Sequence, residues 1–345
     1  VQIAGHTSSQ LPWEMGVPQG GVLSPLLFAV FIDDLPLSST PRVHSALYAD
    51  DSALYTEVGR RDTDISDAMF NLQETLDLIT AWAKKWRLTF APDKSRIILL
   101  SPDKQISPPL PPVFLCGAQI PEVREGTVRY LGILFDRKLT YKAHLALLVN
   151  RANARLNGLR SIAGTDSGPS RMQLQRLYLA WIRPVMEYGA ELYAGAHRAD
   201  LNPLDIIQNK ALRIIQGATM GADVVGMHYN MGIDFLAMRR LQVGARMAGR
   251  LDRTPKENAC AAEWATWKVQ QGALRPDIQT LSHPRQAYRA PPNGYSPFFF
   301  AQGALQILGD LDGDPNPEPF LRLNDMNPPW AATIPCHPDD VLPVW

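Results

Sequence analysis

Two acidic residues stand side by side in Tyr48-Ala49-Asp50-Asp51, between the strand-like runs Val43–Tyr48 and Ala53–Glu57. That placement puts both carboxylates at the tip of a hairpin. Like charges held this close raise one another's pKa unless a cation sits between them. A divalent ion such as Mg²⁺ removes the conflict, because it takes carboxylate oxygens together with substrate phosphates. The pair therefore suits metal-assisted phosphoryl chemistry. Asp-Asp is also a common turn dipeptide, and the chain holds two more, Asp33-Asp34 and Asp339-Asp340, so the pair alone does not decide its role.

A second constellation precedes it: Gly16-Val17-Pro18-Gln19-Gly20-Gly21-Val22-Leu23-Ser24-Pro25-Leu26-Leu27-Phe28. A glycine-rich turn lets backbone approach a ligand closely, and the helix it feeds favours an anion at its start. Two later segments complete the set, Trp86-Arg87-Leu88-Thr89-Phe90-Ala91-Pro92-Asp93-Lys94-Ser95 and Val128-Arg129-Tyr130-Leu131-Gly132-Ile133.

Taken together and in this order, the four segments resemble the palm signatures of reverse transcriptases, most closely the non-LTR retrotransposon type. The resemblance runs from about residue 1 to residue 250 and implies an RNA-directed DNA polymerase. It assigns Asp50 and Asp51 as ligands of the catalytic metals, two Mg²⁺ ions in the complete enzyme with Mn²⁺ as a substitute. Gln19, Gly20 and Tyr48 would line the nucleotide site, and Lys94 would protonate the leaving pyrophosphate. Tyr130, Leu131 and Gly132 would form the primer grip. RNA template, DNA primer and deoxynucleoside triphosphates are the implied partners, with endonuclease or ribonuclease H domains elsewhere in the full-length protein. The departures are specific. The family's first catalytic aspartate lies on a strand well before the Gln-Gly turn, yet Glu14 is the sole acid ahead of Gly16. Ala91 stands where an Asn is usual. The expectation is a partial palm, inactive alone, with a non-catalytic nucleic-acid-binding remnant of a transposable element as the alternative.

The elements that must position these residues follow from periodicity. Val1–Ile3 reads as a strand and Thr7–Gln10 as a turn. Ser24-Pro25 opens a largely buried helix over Leu26–Ile32. From Asp62 to Trp86 the apolar positions Ile65, Met69, Leu72, Leu76, Ile79, Ala83 and Trp86 recur at helical spacing, which predicts an amphipathic helix capped by Asp62 or Thr63. Trp82 and Trp86 then belong to its core face. Arg96–Leu100, Val113–Cys116 and Val128–Phe135 read as strands. Helices are expected near Lys142–Ile162, Arg171–Tyr188, Leu204–Gln216 and Leu236–Arg250, with Pro184 kinking or ending the second. The fold class is α+β: a partial polymerase palm (1–139), an antiparallel sheet with helices on one face, then an α-helical thumb-like region (140–251) and a proline-rich, acidic tail (252–345).

Charge supports that division. From Arg137 to Arg183 there are nine Lys/Arg against one acid, Asp166, whereas from Asp252 onward seven bases face eleven acids and fourteen of the 29 prolines. The net charge of zero therefore hides a basic middle. Within it, Arg151 and Arg155 lie one turn apart and Arg176 and Arg183 seven apart, so each pair shares a helix face suited to phosphate contacts. The three cysteines, Cys116, Cys260 and Cys336, form no CxxC pair, which argues against a disulfide framework or zinc module. No metal-ligand spacing relates the seven histidines. No apolar run approaches the roughly 20 residues of a membrane helix, and no signal-peptide pattern is present, so the expected location is intracellular, in the nucleus or a cytoplasmic ribonucleoprotein.

Overall fold

The computed structural model describes residues 2–3, 5–7, 9, 16–18, 20–37, 42–58, 62–101, 109–164, 167–256, 258, 260–262 and 264–266. The chain divides into two compact units at Gly132–Ile133. Both helices and strands are present, as an α+β chain requires. The tail beyond residue 266 lies outside the described residues.

In the first unit, β1 (Gln2–Ile3) and β2 (His6–Thr7) pair antiparallel, so Thr7 is strand rather than the start of a turn. Helix α1 (Ser24–Ile32) begins with Pro25 in its first turn. Strands β3 (Val43–Tyr48) and β4 (Asp51–Thr56) form a six-pair antiparallel ladder, followed by α2 (Asp62–Trp86). Short strands β5 (Phe114–Leu115) and β6 (Ala118–Gln119) make another antiparallel pair, and β7 spans Thr127–Tyr130. The expected single antiparallel sheet is not formed: among the described residues these are separate two-stranded pairs. Arg96–Leu100 is no strand either, since Ile97 makes only an isolated bridge to Glu122.

Helix α2 organises this unit. Its apolar stripe, Ile65, Met69, Leu72, Leu76, Ile79 and Trp82, is buried with Leu35, Leu37, Val43, Val113, Leu115 and Ile120. Each such side chain stabilises the unit by roughly 1.5–3 kcal/mol before entropy. The Gln73 side chain fastens β5 to the helix, donating to the Phe114 carbonyl (3.1 Å) and accepting from its N–H (2.7 Å). Because α2 already includes Asp62, Thr63 lies inside the first turn and cannot be the cap. Trp86 is half-exposed, packed edge-on against Phe31 at 5.6 Å, whereas Trp82 is buried and donates to Asp34. The expected burial of α1 is not met. Leu26, Leu27 and Val30 are exposed, because Phe31 and Ile32 alone of its side chains reach the α2 core.

The second unit opens with β8 (Ile133–Asp136) and is otherwise helical: α3 (Lys142–Ile162), α4 (Arg171–Leu177), α5 (Arg183–Glu187), α6 (Ala190–Tyr193), α7 (Arg198–Gln216), α8 (Val224–Met231) and α9 (Leu236–Arg253). The Asp136 carboxylate sets the entry to α3 by accepting from the N–H groups of Thr140 (3.0 Å) and Tyr141 (2.7 Å). Leu145, Leu148, Ala152, Leu156 and Leu159 of α3 join Tyr178, Ile182, Leu204, Ile207 and Leu212 in one core. Pro184 neither ends the helix nor simply kinks it. Between α4 and α5 the chain widens into a π-helical turn, Tyr178–Ile182, and the Arg183 N–H bonds the Tyr178 carbonyl five residues back. Proline offers no N–H to the carbonyl four residues before it, and the wider turn absorbs that loss.

Candidate active-site hairpin and basic helices

The β3–β4 ladder runs from Val43 opposite Thr56 to Tyr48 opposite Asp51. Two residues are left to turn the chain, Ala49 and Asp50. Ala49 takes a left-handed φ of +52°, a conformation that suits glycine and strains an L-residue. Strain of this kind persists where the surrounding structure over-determines it, and it concentrates at functional sites. Tyr48, Asp50 and Asp51 are all exposed, and among the described residues neither carboxylate has a hydrogen-bond or ion-pair partner. Two adjacent, unneutralised carboxylates are a donor set suited to a hard divalent ion that keeps waters and substrate phosphates in its remaining positions. Among the described residues no group of three His, Cys, Asp or Glu side chains converges to hold a metal.

One further predicted residue is drawn to this hairpin. The Tyr130 phenol is raised above its ordinary pKa, first by its own burial and then by the negative charge of Asp51. Val128–Phe135, expected as one strand, is interrupted after Tyr130. Leu131 and Gly132 both take left-handed φ, +46° and +82°, the signature of a two-residue hairpin turn. Tyr130, Leu131 and Gly132 therefore form a strand end and a turn, not a strand interior.

The glycine turn is equally specific. The Gly21 N–H donates to the Pro18 carbonyl at 3.2 Å, and Gly20, third in that turn, has φ +85° with open space where a Cβ would stand. Glycine carries a left-handed φ of this kind freely. The Ser24 hydroxyl donates to the same Pro18 carbonyl at 2.6 Å, which ties the turn to the start of α1. A Cβ on Gly21 would come within 2.5 Å of that hydroxyl oxygen. Gln19 lies outside the described residues. Lys94 closes a tight turn through its N–H to the Ala91 carbonyl (3.1 Å), and its side chain is exposed. No hydrogen bond or ion pair joins it to Asp50 or Asp51. A cavity of about 410 Å³ in this unit lies elsewhere, at the opposite end of the ladder by Arg42, His44, Thr56 and Asp67.

In the helical unit the four arginines are not equivalent. Arg151 and Arg176 are exposed, with neither hydrogen bond nor ion pair among the described residues. Arg183 is half-buried and pairs with Glu187 at 3.7 Å, one turn along the same helix. Arg155 donates to the Trp181 carbonyl and sits 5.8 Å from the centre of that indole ring. Trp181 is a residue that the pattern of charges did not single out. Its apolar type matched the buried stripe, and its exposure of 38% shows only in three dimensions.

Residues 2–135 match the family model described as reverse transcriptase (RNA-dependent DNA polymerase). The chain is similar to a probable RNA-directed DNA polymerase from transposon BS of Drosophila melanogaster, at 29% identity over 69% of this chain and 26% of the relative. Similarity extends to RNA-directed DNA polymerases from the mobile element jockey. In Drosophila funebris the identity is 28%, over 71% of this chain and 26% of the relative. In Drosophila melanogaster it is 32%, over 63% and 24%. The chain thus spans about a quarter of the length of the curated relatives it matches. No solved structure matches it. With four signature segments in order, a family model matched over residues 2–135 and these relatives, the first part of the chain is of the reverse transcriptase type and is similar to the RNA-directed DNA polymerases of non-LTR retrotransposons.

Proposed function

We propose that this chain is the part of an RNA-directed DNA polymerase that carries the Tyr48–Asp51 hairpin and a basic helical grip on template and primer. The observation that carries this reading is the hairpin tip, two adjacent and unpaired carboxylates with Tyr130 in the field of Asp51. Asp50 and Asp51 would hold Mg²⁺, or Mn²⁺ in its place, which when bound supplies activation of the primer 3′-hydroxyl and neutralisation of the pyrophosphate charge. The turn at Gln19 and Gly20 lets backbone approach the incoming deoxynucleoside triphosphate, and Tyr48 borders that pocket. Lys94 donates a proton to the departing pyrophosphate. Tyr130, Leu131 and Gly132 steady the primer end. Arg151 and Arg176 hold phosphates without reading sequence, with Arg155 and Arg183 lending charge from their internal partners.

Primer extension on an RNA template tests this, using the chain itself and a longer polymerase that contains it, each beside its Asp50→Ala variant. Extension by the longer protein that disappears in the variant is the expected result. Extension retained in the variant sinks the assignment of the hairpin. A second reading is a nucleic-acid-binding remnant of a transposable element without catalysis. Nucleic-acid binding with no extension by the chain alone is its expected signature.

A further inference from the structure

We propose that Trp181 is a stacking platform for an unpaired nucleic-acid base, with Arg155 and Arg151 holding the adjoining backbone. The inference deepens the nucleic-acid part of the reading above and rests on it.

Three observations converge. First, Trp181 belongs to the π-helical turn, where the widened backbone re-aims side chains relative to an α-helix, and 38% of it stays in solvent. Second, the ring is seated rather than loose. A Cβ on Gly158 would come within 2.8 Å of Trp181 Cη2, so the absence of a side chain at Gly158 leaves room for the indole against α3. Arg155 fixes it from a second direction, through the backbone carbonyl and through the cation–π approach at 5.8 Å. Third, the α3 face beside the ring is basic. Helix α3 contains no acidic residue, and Arg151, Arg155 and Gly158 follow one another at spacings of four and three along one face. Arg151 and Arg160 are exposed, without hydrogen bond or ion pair among the described residues.

An exposed indole on a basic face combines the two contributions that single-strand binding uses, a π-surface for a base and cations for its phosphates. A paired base inside a duplex does not offer its face. The ligand class is therefore single-stranded RNA or DNA, such as a template strand outside the hybrid.

Fluorescence anisotropy with a labelled 12-nucleotide oligouridylate, and with an RNA–DNA hybrid of equal length, tests the platform in the whole chain. Trp181→Ala is expected to weaken the single strand about tenfold and the hybrid by less than about twofold. Trp181→Phe, which keeps a π-face, is expected to restore most of the lost affinity. Equal weakening of both ligands, or no weakening of the single strand, overturns the platform while leaving the polymerase reading to the Asp50 experiment. A loss in Trp181→Phe as large as in Trp181→Ala assigns the residue to packing and also overturns it. Failure of the unaltered chain to bind either ligand overturns the platform together with the nucleic-acid reading of the helical unit.

Discussion

Tyr48 and Asp51 stand opposite one another as the last pair of the β3–β4 ladder, so Ala49 and Asp50 alone turn the chain. The position of both carboxylates therefore depends on a left-handed alanine. A β-branched residue tolerates that conformation worst, and glycine carries it freely. Ala49→Val is expected to cost about 1–2 kcal/mol, and Ala49→Gly to change stability by less than about 1 kcal/mol. Urea unfolding curves for the two variants check this; a valine variant as stable as the parent would contradict the turn geometry.

The hairpin was legible because two apolar runs flank the acidic pair, and α2 because its apolar spacing never breaks over its 25 residues. Other features were not legible, for local reasons. Val128–Phe135 looks like one strand, since only the backbone reveals that Leu131 joins Gly132 in left-handed φ. Helix α7 begins at Arg198, capped by the His197 side chain, and continues through Pro203, which reads from sequence as a stop. Helix α8 is short and only weakly amphipathic, so its apolar pattern does not announce it, although the Asp223 carboxylate accepts from the Gly226 N–H and Gly232 ends it at φ +59°. Of the site, the acidic pair and the glycine turn came from pattern, whereas the occupation of Arg183 by Glu187 and of Arg155 by Trp181 depends on packing.

The Gly21–Ser24 contact offers a coupling test. Ser24→Ala removes the hydroxyl that donates to the Pro18 carbonyl, a loss of about 1 kcal/mol. Gly21→Ala drives a methyl toward the same hydroxyl and is expected to cost about 1–3 kcal/mol. Combining them removes the clash partner, so the double variant should be more stable than the sum of the singles by at least about 0.5 kcal/mol. Strict additivity in denaturant melts would show that the turn does not lean on Ser24.

In the helical unit, the buried Arg240 guanidinium donates to both oxygens of Asp205, at 3.1 and 3.2 Å. Only 5% of the Arg240 side chain is exposed, against 35% for Asp205. Asp205→Ala removes both of these charge-assisted hydrogen bonds from a buried guanidinium and is expected to cost about 2–3 kcal/mol, reduced from the fully buried case because Asp205 itself touches water. Replacing both, Asp205→Ala with Arg240→Met, should recover most of that loss. A single variant within about 0.5 kcal/mol of the parent by thermal and chemical unfolding would overturn the pair's role.

The same unit is expected to be stable only between an acid and an alkaline limit. Burial lowers the pKa of His144 and of His228 below the ordinary 6.5, offset in part by backbone contacts with Tyr188 and Ile233. Nearby charges act in opposite directions: Arg151 lowers His144 further, whereas Asp205 and Asp234 raise His228. Below about pH 6.5 the unfolded chain binds protons that these folded imidazoles refuse, so stability falls as the pH drops toward their lowered values. At the other end, burial pushes Tyr141 up to about 12, with Asp136 adding to the shift, and raises Tyr178 and Tyr193 as well. Above about pH 10 the unfolded chain releases phenolic protons that the fold retains, so stability falls again as the pH rises. Unfolding midpoints in urea from pH 5 to pH 11 should therefore trace a dome. Tyr141→Phe should flatten its alkaline side without moving the acid side. A midpoint unchanged between pH 7.5 and 5.5 would mean that protonated His144 and His228 are accommodated in the fold, and the acid limit would then have to come from carboxylates at lower pH.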